Sequence, residues 1–120
     1  MNLTTCKKIC KECPFRKDSA NGWLGNHSIE DITHAMQYEQ LFSCHMERDE
    51  DANLNKVLIE EGSQHICRGF LVSATKSCKL FGQNPDTGSE LRRLQKELNI
   101  TEEERESVLN KWEFIQHHDI

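Results

Sequence analysis

The sequence predicts a small α-rich domain with little β structure, stapled by a metal ion and completed by a C-terminal helical hairpin. Apolar residues recur at helical spacing in several segments, which favours helices over strands. The chain has 120 residues and a mean hydropathy of -0.73, so its core is small and would gain from a staple. Six cysteines are available to bind a metal ion. We expect residues 1–82 to form the metal-binding core and residues 83–120 the hairpin, packed together as one unit.

The N-terminal part of the chain predicts irregular loops, one helix and a short extended segment. Turn-forming residues punctuate residues 1–27, which we expect to be loop. Ser28 and Asp31 have the spacing of a capping box ahead of an apolar series. A helix should therefore start at Ser28 and end near Glu39. Residues 41–46 alternate in part and are predicted to be extended.

The middle of the chain predicts a polar loop followed by a helix that carries a cysteine. Residues 47–55 should form the loop, and residues 56–59 a strand or a single helical turn. A helix should begin near Ser63, and its apolar spacing places Cys67 on the buried face. Gly69 on the same helix would let another backbone approach closely.

The C-terminal part predicts two antiparallel helices after a clear boundary. Residues 82–88 are rich in glycine, proline and polar residues and should form the boundary turn. One helix follows with its leucines in a single stripe over residues 91–98. A capping box at Thr101 should begin the second, with Trp112 among its inward-facing residues. The short connection between the two predicts a hairpin.

Four cysteines have the arrangement of a metal site. Cys10 and Cys13 form a CxxC turn, which aims two thiolates at one point, as in zinc finger-like sites. Cys44 on the extended segment and Cys67 on the helix would supply the other two ligands. His45 and Cys6 are less favoured substitutes; His45 is disfavoured because neighbours on an extended segment point to opposite faces. The predicted ion is Zn²⁺.

Two other interpretations of the cysteines stay open. Four thiolates with a proline directly after one of them also suit a [4Fe–4S] cluster, which would make the protein a redox or sensor protein. The cysteines could also be no more than small buried apolar residues. Zinc is favoured over the cluster because nothing in the sequence indicates an electron-transfer partner.

Arg16 and Lys17, directly after the CxxC turn, have three interpretations. They could contact a phosphate or another anion, or offset the negative charge that four thiolates leave around a zinc ion. Pairing with Asp18 is the weakest of the three. We favour the charge-offsetting role.

Catalysis has less support than binding, and we assign no catalytic residue and no organic cofactor. A redox role for the CxxC pair would need a βαβ setting, which the sequence lacks. A hydrolytic zinc site could use His45 as a ligand with Glu47 or Glu39 as base. His117 and His118 are expected to lie in a solvated tail.

Charge is unevenly distributed along the chain, whose net charge is -5. Residues 1–17 have a net charge of +4, whereas residues 47–61 and residues 86–120 each have -4. The basic segment offers cations to nucleic acid, and the acidic hairpin suits a basic protein surface. The cations in question are Lys7, Lys8, Lys11, Arg16 and Lys17. We see no signal sequence and no membrane-spanning apolar run, so we expect a cytoplasmic protein.

The motif order resembles a family of small, uncharacterised cysteine-containing proteins common in bacteriophage genomes and their bacterial hosts. The resemblance covers roughly residues 6–80 and departs from the family at Arg68, where alanine is common. The motifs are CxxCPFRKDS at residues 10–19, GWLG at residues 22–25, CH at residues 44–45 and CxG at residues 67–69. It implies a metal-binding core and an origin in a phage or its host. The expected function is that of a non-enzymatic accessory protein that binds a host or viral macromolecule in the host cytoplasm.

Overall fold

The computed structural model describes residues 2–9, 12–24, 28–43, 51–77 and 81–119, and within them the chain is mostly helical. Isolated bridges are the only β pairing in these ranges, so the predicted fold class is confirmed in its α-rich character. No helix in the described part of the chain is long and apolar enough to cross a membrane. The helices are α1 (Ile29–Gln37), α2 (Ala52–Glu61), α3 (Arg68–Lys76), α4 (Thr87–Glu97), α5 (Glu102–Glu106) and α6 (Lys111–His118).

Helix α1 forms where its local signals predict. The Ser28 hydroxyl accepts a hydrogen bond from the Asp31 amide, and the Asp31 carboxylate accepts one from the Ser28 amide, which completes the capping box. Ile32 and Met36 are buried on the inner face. The chain leaves the helix through Glu39, which has a positive φ of 56°.

Helix α2 corrects the predicted polar loop, whose end it occupies, and shows that the helical alternative for residues 56–59 is the right one, within a longer helix than a single turn. The Asp51 carboxylate accepts hydrogen bonds from the amides of Asn53 and Leu54, which caps a helix in this polar segment. The helix ends at Gly62, whose φ of 87° is the left-handed conformation favoured by glycine at a helix end. The Asn2 amide donates to the Glu60 carbonyl and ties the N-terminal segment to this helix.

Ile66 joins two distant segments through backbone pairing. It bridges Thr5 in parallel and Ser43 in antiparallel orientation. The next residue, Cys67, donates its amide hydrogen to the Phe42 carbonyl over 2.9 Å. The extended segment predicted at residues 41–46 is therefore paired at its described end, and its residues 44–46 lie outside the described ranges.

Helix α3 is the centre of the fold and begins at Arg68, later than the predicted start near Ser63. Cys67 is its N-cap residue. The helix packs against α4, α5 and α6, and it is buried along most of its length. Because three helices share α3 as their partner, α3 connects the cysteine-bearing half of the chain with the C-terminal half.

The C-terminal part differs from the predicted hairpin of two helices. Three helices, α4, α5 and α6, occupy the described residues there. Val108 and Leu109 lie in the link between α5 and α6 and are buried. Trp112 was predicted to face inward, but its side chain is 67% exposed, because Phe114 and His118 form the buried face of α6.

A cluster of aromatic rings unites the two predicted regions in one core. Phe15, from the segment after the CxxC motif, stacks on Phe114 of α6 with ring centroids 4.6 Å apart. Phe42 and Phe70 approach Phe15 edge-on. The radius of gyration is 13.1 Å, in line with the compactness of a single folded unit of this length.

Candidate metal centre

Two of the predicted ligands, Cys13 and Cys67, lie side by side in the core. Their Sγ atoms are 3.8 Å apart, and the residues are 1% and 6% exposed. Cys13 comes from the N-terminal loop and Cys67 from the N-cap of α3, so two segments 54 residues apart meet at this point. The structure thus brings together one sulfur from the CxxC turn and one from the helix.

Gly69 provides the space that the Cys13 side chain occupies. A Cβ atom at Gly69 would lie 2.5 Å from the Cys13 Sγ and 3.2 Å from the Phe15 Cβ. The sequence predicted a close approach at this glycine. The group that approaches is the Cys13 side chain, and only glycine admits it without displacement.

The N-terminus of α3 directs backbone N–H groups at the Cys67 sulfur. The Phe70 amide donates to it over 3.4 Å, and the Gly69 amide contributes as well. The neighbouring Cys13 thiol and burial raise the pKa of Cys67, while these two amides act in the opposite direction. A bound cation would favour the thiolate, because it replaces an unpaired buried charge with a coordinated one.

Of the other predicted ligands, the structure describes only the substitute Cys6. Cys10, Cys44 and His45 lie outside the described residues. Cys6 is half-buried, and its amide donates to the Ile66 carbonyl over 3.3 Å, next to Cys67 in the chain. No group of three or more histidine, cysteine or acidic residues placed to hold a metal occurs within the described ranges, which contain two of the four predicted ligands.

The Arg16 guanidinium forms the contact that the sequence favoured least. Its Nε and Nη2 atoms donate to the two carboxylate oxygens of Asp18 over 2.8 and 3.0 Å. This contact lowers the pKa of the exposed Asp18 carboxyl. Lys17 is exposed, and its amide donates to the Ser107 carbonyl.

The α3 amides at Cys67 supply positive potential at the sulfur pair, and the sequence predictions did not include them. A cysteine at the first position of a predicted helix is the sequence signal that could have indicated this contact.

His118 contradicts the prediction of a solvated tail. It is 3% exposed, and its two ring nitrogens contact the loop that follows Cys13. Nε2 lies 2.8 Å from the Pro14 carbonyl oxygen, and Nδ1 lies 3.0 Å from the Gly22 amide nitrogen. A carbonyl can only accept and an amide N–H can only donate, so the ring is neutral with its hydrogen on Nε2. Burial lowers the pKa of His118, the Pro14 carbonyl opposes this, and His117 adds to it.

His117 holds the same loop from the adjacent position. Its Nε2 donates to the Ser19 carbonyl over 2.7 Å, and its own carbonyl accepts from the Asn21 side chain. His117 and these partners are separated by almost the whole length of the chain, so no local sequence pattern predicts the contacts. We call residues 14–22 with His117 and His118 the histidine latch.

Glu39 is a candidate catalytic base in the sequence, and the structure gives its carboxylate another role. One oxygen accepts hydrogen bonds from the Gly82 and Gln83 amides, both at 3.0 Å, and the other accepts from the Asn84 amide at 2.6 Å. The residue is 3% exposed. A carboxylate held by three backbone amides stabilises the loop before α4 and is badly placed to take a proton from water.

Comparison of the chain with models of protein families, with curated proteins and with solved structures finds no match. The buried sulfur pair at the start of α3 is therefore the feature from which a function can be inferred.

Proposed function

We propose that the protein is a non-enzymatic zinc-binding accessory protein, whose zinc ion is held by Cys10, Cys13, Cys44 and Cys67. The observation that carries the proposal is the 3.8 Å separation of the Cys13 and Cys67 sulfurs. With zinc–sulfur bonds of about 2.3 Å and tetrahedral angles, two thiolates on one zinc ion lie about 3.8 Å apart. The described sulfur pair has the length of one edge of such a tetrahedron.

Chain connectivity supports the other two ligands. Cys10 precedes Cys13 by the two-residue spacing of a CxxC turn, which lets both thiolates reach one ion. Cys44 directly follows Ser43, which pairs with Ile66 beside Cys67. To bind the same ion, Cys10 therefore needs to reach only the vicinity of Cys13. Cys44 needs to reach only the vicinity of the bridge between Ser43 and Ile66.

The sulfur separation also favours zinc over the [4Fe–4S] alternative. In a four-iron cluster each cysteine binds a different iron. Two ligand sulfurs are then separated by two iron–sulfur bonds and an iron–iron edge, which is a much longer span than the one between Cys13 and Cys67. One ion between two adjacent sulfurs is the simpler fit.

The test is the metal content of the purified full-length chain, measured by elemental analysis together with a visible spectrum. We expect a colourless protein with stoichiometric zinc. Cys13→Ser and Cys67→Ser should each lose the metal, whereas Cys6→Ser should retain it. Cobalt added to the metal-free protein should give the intense visible bands of tetrahedral thiolate coordination.

Other outcomes have distinct meanings. A brown protein whose absorbance fades in air would replace zinc with a cluster. Full zinc content in Cys67→Ser would exclude the proposed ligand set, and loss of zinc in Cys6→Ser would bring Cys6 into it.

We further propose a protein partner from the phage or its host rather than a nucleic acid. Lys7, Lys8 and Arg16 share a cleft of about 620 Å³ with Glu103 and Glu104, so acidic side chains face the basic segment. Carboxylates beside the cations weaken attraction for phosphate. The acidic C-terminal segment instead suits a basic protein surface.

The exposed Trp112 is the residue we expect such a partner to cover, because tryptophan is enriched at the centres of protein interfaces. Trp112→Ala in the immobilised full-length protein should reduce capture of the partner from infected-cell lysate at least tenfold, without changing stability. Tyr38→Ala, which alters another exposed aromatic residue, is the matched control. Equal capture by both variants would place the interface elsewhere.

A further inference from the structure

We propose that Cys13 and Cys67 form a redox-responsive release point for the metal, at which hydrogen peroxide joins the two sulfurs as a disulfide and frees the ion. The metal-release part rests on the zinc site proposed above. The pairing of the two sulfurs rests on their described positions alone.

The geometry requires a small movement. The two sulfurs are 3.8 Å apart, whereas the sulfurs of a disulfide are about 2.05 Å apart. Cys13 lies in a loop, and its Sγ packs against Gly69 at the start of α3. Bond formation therefore requires the Cys13 side chain to turn from Gly69 toward the Cys67 sulfur.

Cys67 is the sulfur that should react first. Both residues are buried, and Cys67, at 6% exposed against 1% for Cys13, is the less enclosed of the two. The Phe70 amide donates a hydrogen bond to the Cys67 sulfur over 3.4 Å, so a backbone donor faces the sulfur at which negative charge develops once a bound ion has displaced the proton. A bound metal ion keeps both sulfurs deprotonated.

The chemistry balances in two steps. The Cys67 thiolate attacks one oxygen of hydrogen peroxide, the O–O bond breaks, and sulfenic acid and hydroxide form. The Cys13 thiolate then attacks the Cys67 sulfur, the S–O bond breaks, and a second hydroxide leaves. Two thiolates lose two electrons to one peroxide, and the ion loses two of its four ligands.

The proposal names one disulfide, the one whose two sulfurs are both in the described part of the chain and in contact. In a CxxC motif the usual oxidised pair would be Cys10 with Cys13. The sulfur in contact with Cys13 in the described structure is that of Cys67, so we expect the bond to join the N-terminal loop to α3.

The experiment treats the zinc-loaded full-length chain, purified under reducing conditions, with hydrogen peroxide after the reductant is removed. Zinc release is followed with a chromogenic chelator, and disulfides are mapped by mass spectrometry of unreduced peptides. We expect one Cys13–Cys67 bond for each zinc released, and recovery of zinc binding after dithiothreitol and zinc are added. Cys6→Ser should give the same map.

Several results would overturn the inference while leaving the zinc site intact. The first is a Cys10–Cys13 bond as the main product, and the second is sulfinic acid formed without a disulfide. The third is zinc released at the full rate while the Cys67 thiol in the same sample is still reduced. If the reduced protein binds no zinc, the proposed function fails, and mapping the oxidised metal-free protein still decides whether Cys13 pairs with Cys67.

Discussion

The imidazole of His118 donates a hydrogen bond to the carbonyl oxygen of Pro14 over 2.8 Å, across 104 residues of sequence. Pro14 follows the candidate ligand Cys13, so the last helix of the chain fastens the loop that carries the sulfur. The backbone reinforces this contact, because the Leu109 amide donates to the Phe15 carbonyl and the Lys17 amide to the Ser107 carbonyl. The C-terminal segment is therefore part of the support of the cysteine site.

The histidine latch should contribute measurably to stability. His118→Ala leaves the buried Pro14 carbonyl and the half-buried Gly22 amide without their partner, and an unsatisfied buried group costs about 1–3 kcal/mol. We expect a loss of about 2–4 kcal/mol in the free energy of unfolding, measured by urea denaturation. Gln116→Ala, at an exposed position of the same helix, should change it by less than about 0.5 kcal/mol. A small effect of His118→Ala would mean that water replaces the ring without cost.

The same histidine predicts a dependence of stability on pH. The pKa of His118 is lowered in the folded protein, chiefly by burial, while in the unfolded chain it has its ordinary value of about 6.5. Below that pH the unfolded chain binds the proton more readily, so stability falls as the pH falls. The contribution is fully present above pH of about 6.5 and is lost toward the lower folded-state pKa.

The measurement compares wild type with His118→Ala in urea at several pH values. The difference in unfolding free energy between them should shrink as the pH is lowered from about 7.5 to about 5.5. A difference that stays constant over this range would show that His118 titrates alike in both states.

Some of this fold follows from local sequence, and some cannot. Helix α1 is predictable because Ser28 and Asp31 cap it within one turn. Helix α2 is harder to predict because polar residues dominate its first turn, and its cap at Asp51 lies at the end of a run of charged residues. The prediction for Trp112 is wrong because the apolar character of tryptophan assigned it to the inward-facing side of the helix. The residues that form the buried face of α6 are Phe114 and His118.

The candidate metal centre, like the fold, is predictable from the sequence only in part. The CxxC motif identifies Cys13 locally, and the apolar spacing around Cys67 places that cysteine on a buried face. Their contact, however, spans 54 residues, and the latch spans about 100, so neither has a local signature. Tertiary packing around α3 determines both.

Gly69 should be intolerant of any side chain. In Gly69→Ala the new Cβ would lie 2.5 Å from the Cys13 Sγ, so the sulfur must move. We expect a loss of about 1–3 kcal/mol of stability from overpacking and weaker metal binding, because the sulfur pair is pushed apart. Denaturation and metal titration of the same samples measure the two effects.

Ser73→Ala on the same helix is the control for Gly69→Ala. The buried Ser73 hydroxyl has no hydrogen-bond partner among the described residues. Its removal should leave stability equal or slightly higher, and metal binding unchanged. If Gly69→Ala behaved like Ser73→Ala, the close approach at Gly69 would have no energetic weight.

Arg68 forms a largely buried ion pair with Glu104. Its guanidinium pairs with the Glu104 carboxylate through two hydrogen bonds, and both side chains are largely buried. Arg68→Ala or Glu104→Ala should each cost about 2–3 kcal/mol, because each leaves the other charge unpaired. The double variant should cost less than the sum, and a double-mutant cycle in urea measures the difference. Strict additivity would contradict a direct pair.

A carboxylate ion from solution should be able to take the place of the Glu39 side-chain carboxylate. In Glu39→Ala, the amides of Gly82, Gln83 and Asn84 lose their acceptor, and we expect a loss of more than about 3 kcal/mol. Alanine is the right replacement, because it keeps the strain of the positive φ of 56° that glycine would relieve. The loss therefore reports the carboxylate and not the backbone.

Acetate then distinguishes the anion contact from simple packing. Acetate can enter the space left in Glu39→Ala and accept hydrogen bonds from the three amides, so the melting temperature should rise with the logarithm of the acetate concentration once this exceeds the dissociation constant. Chloride at equal ionic strength should not reproduce the rise, and wild type, whose own carboxylate fills the space, should respond to neither. Equal responses of wild type and variant to acetate would mean that the three amides do not form a discrete anion site, and that Glu39 stabilises the loop through its packing alone.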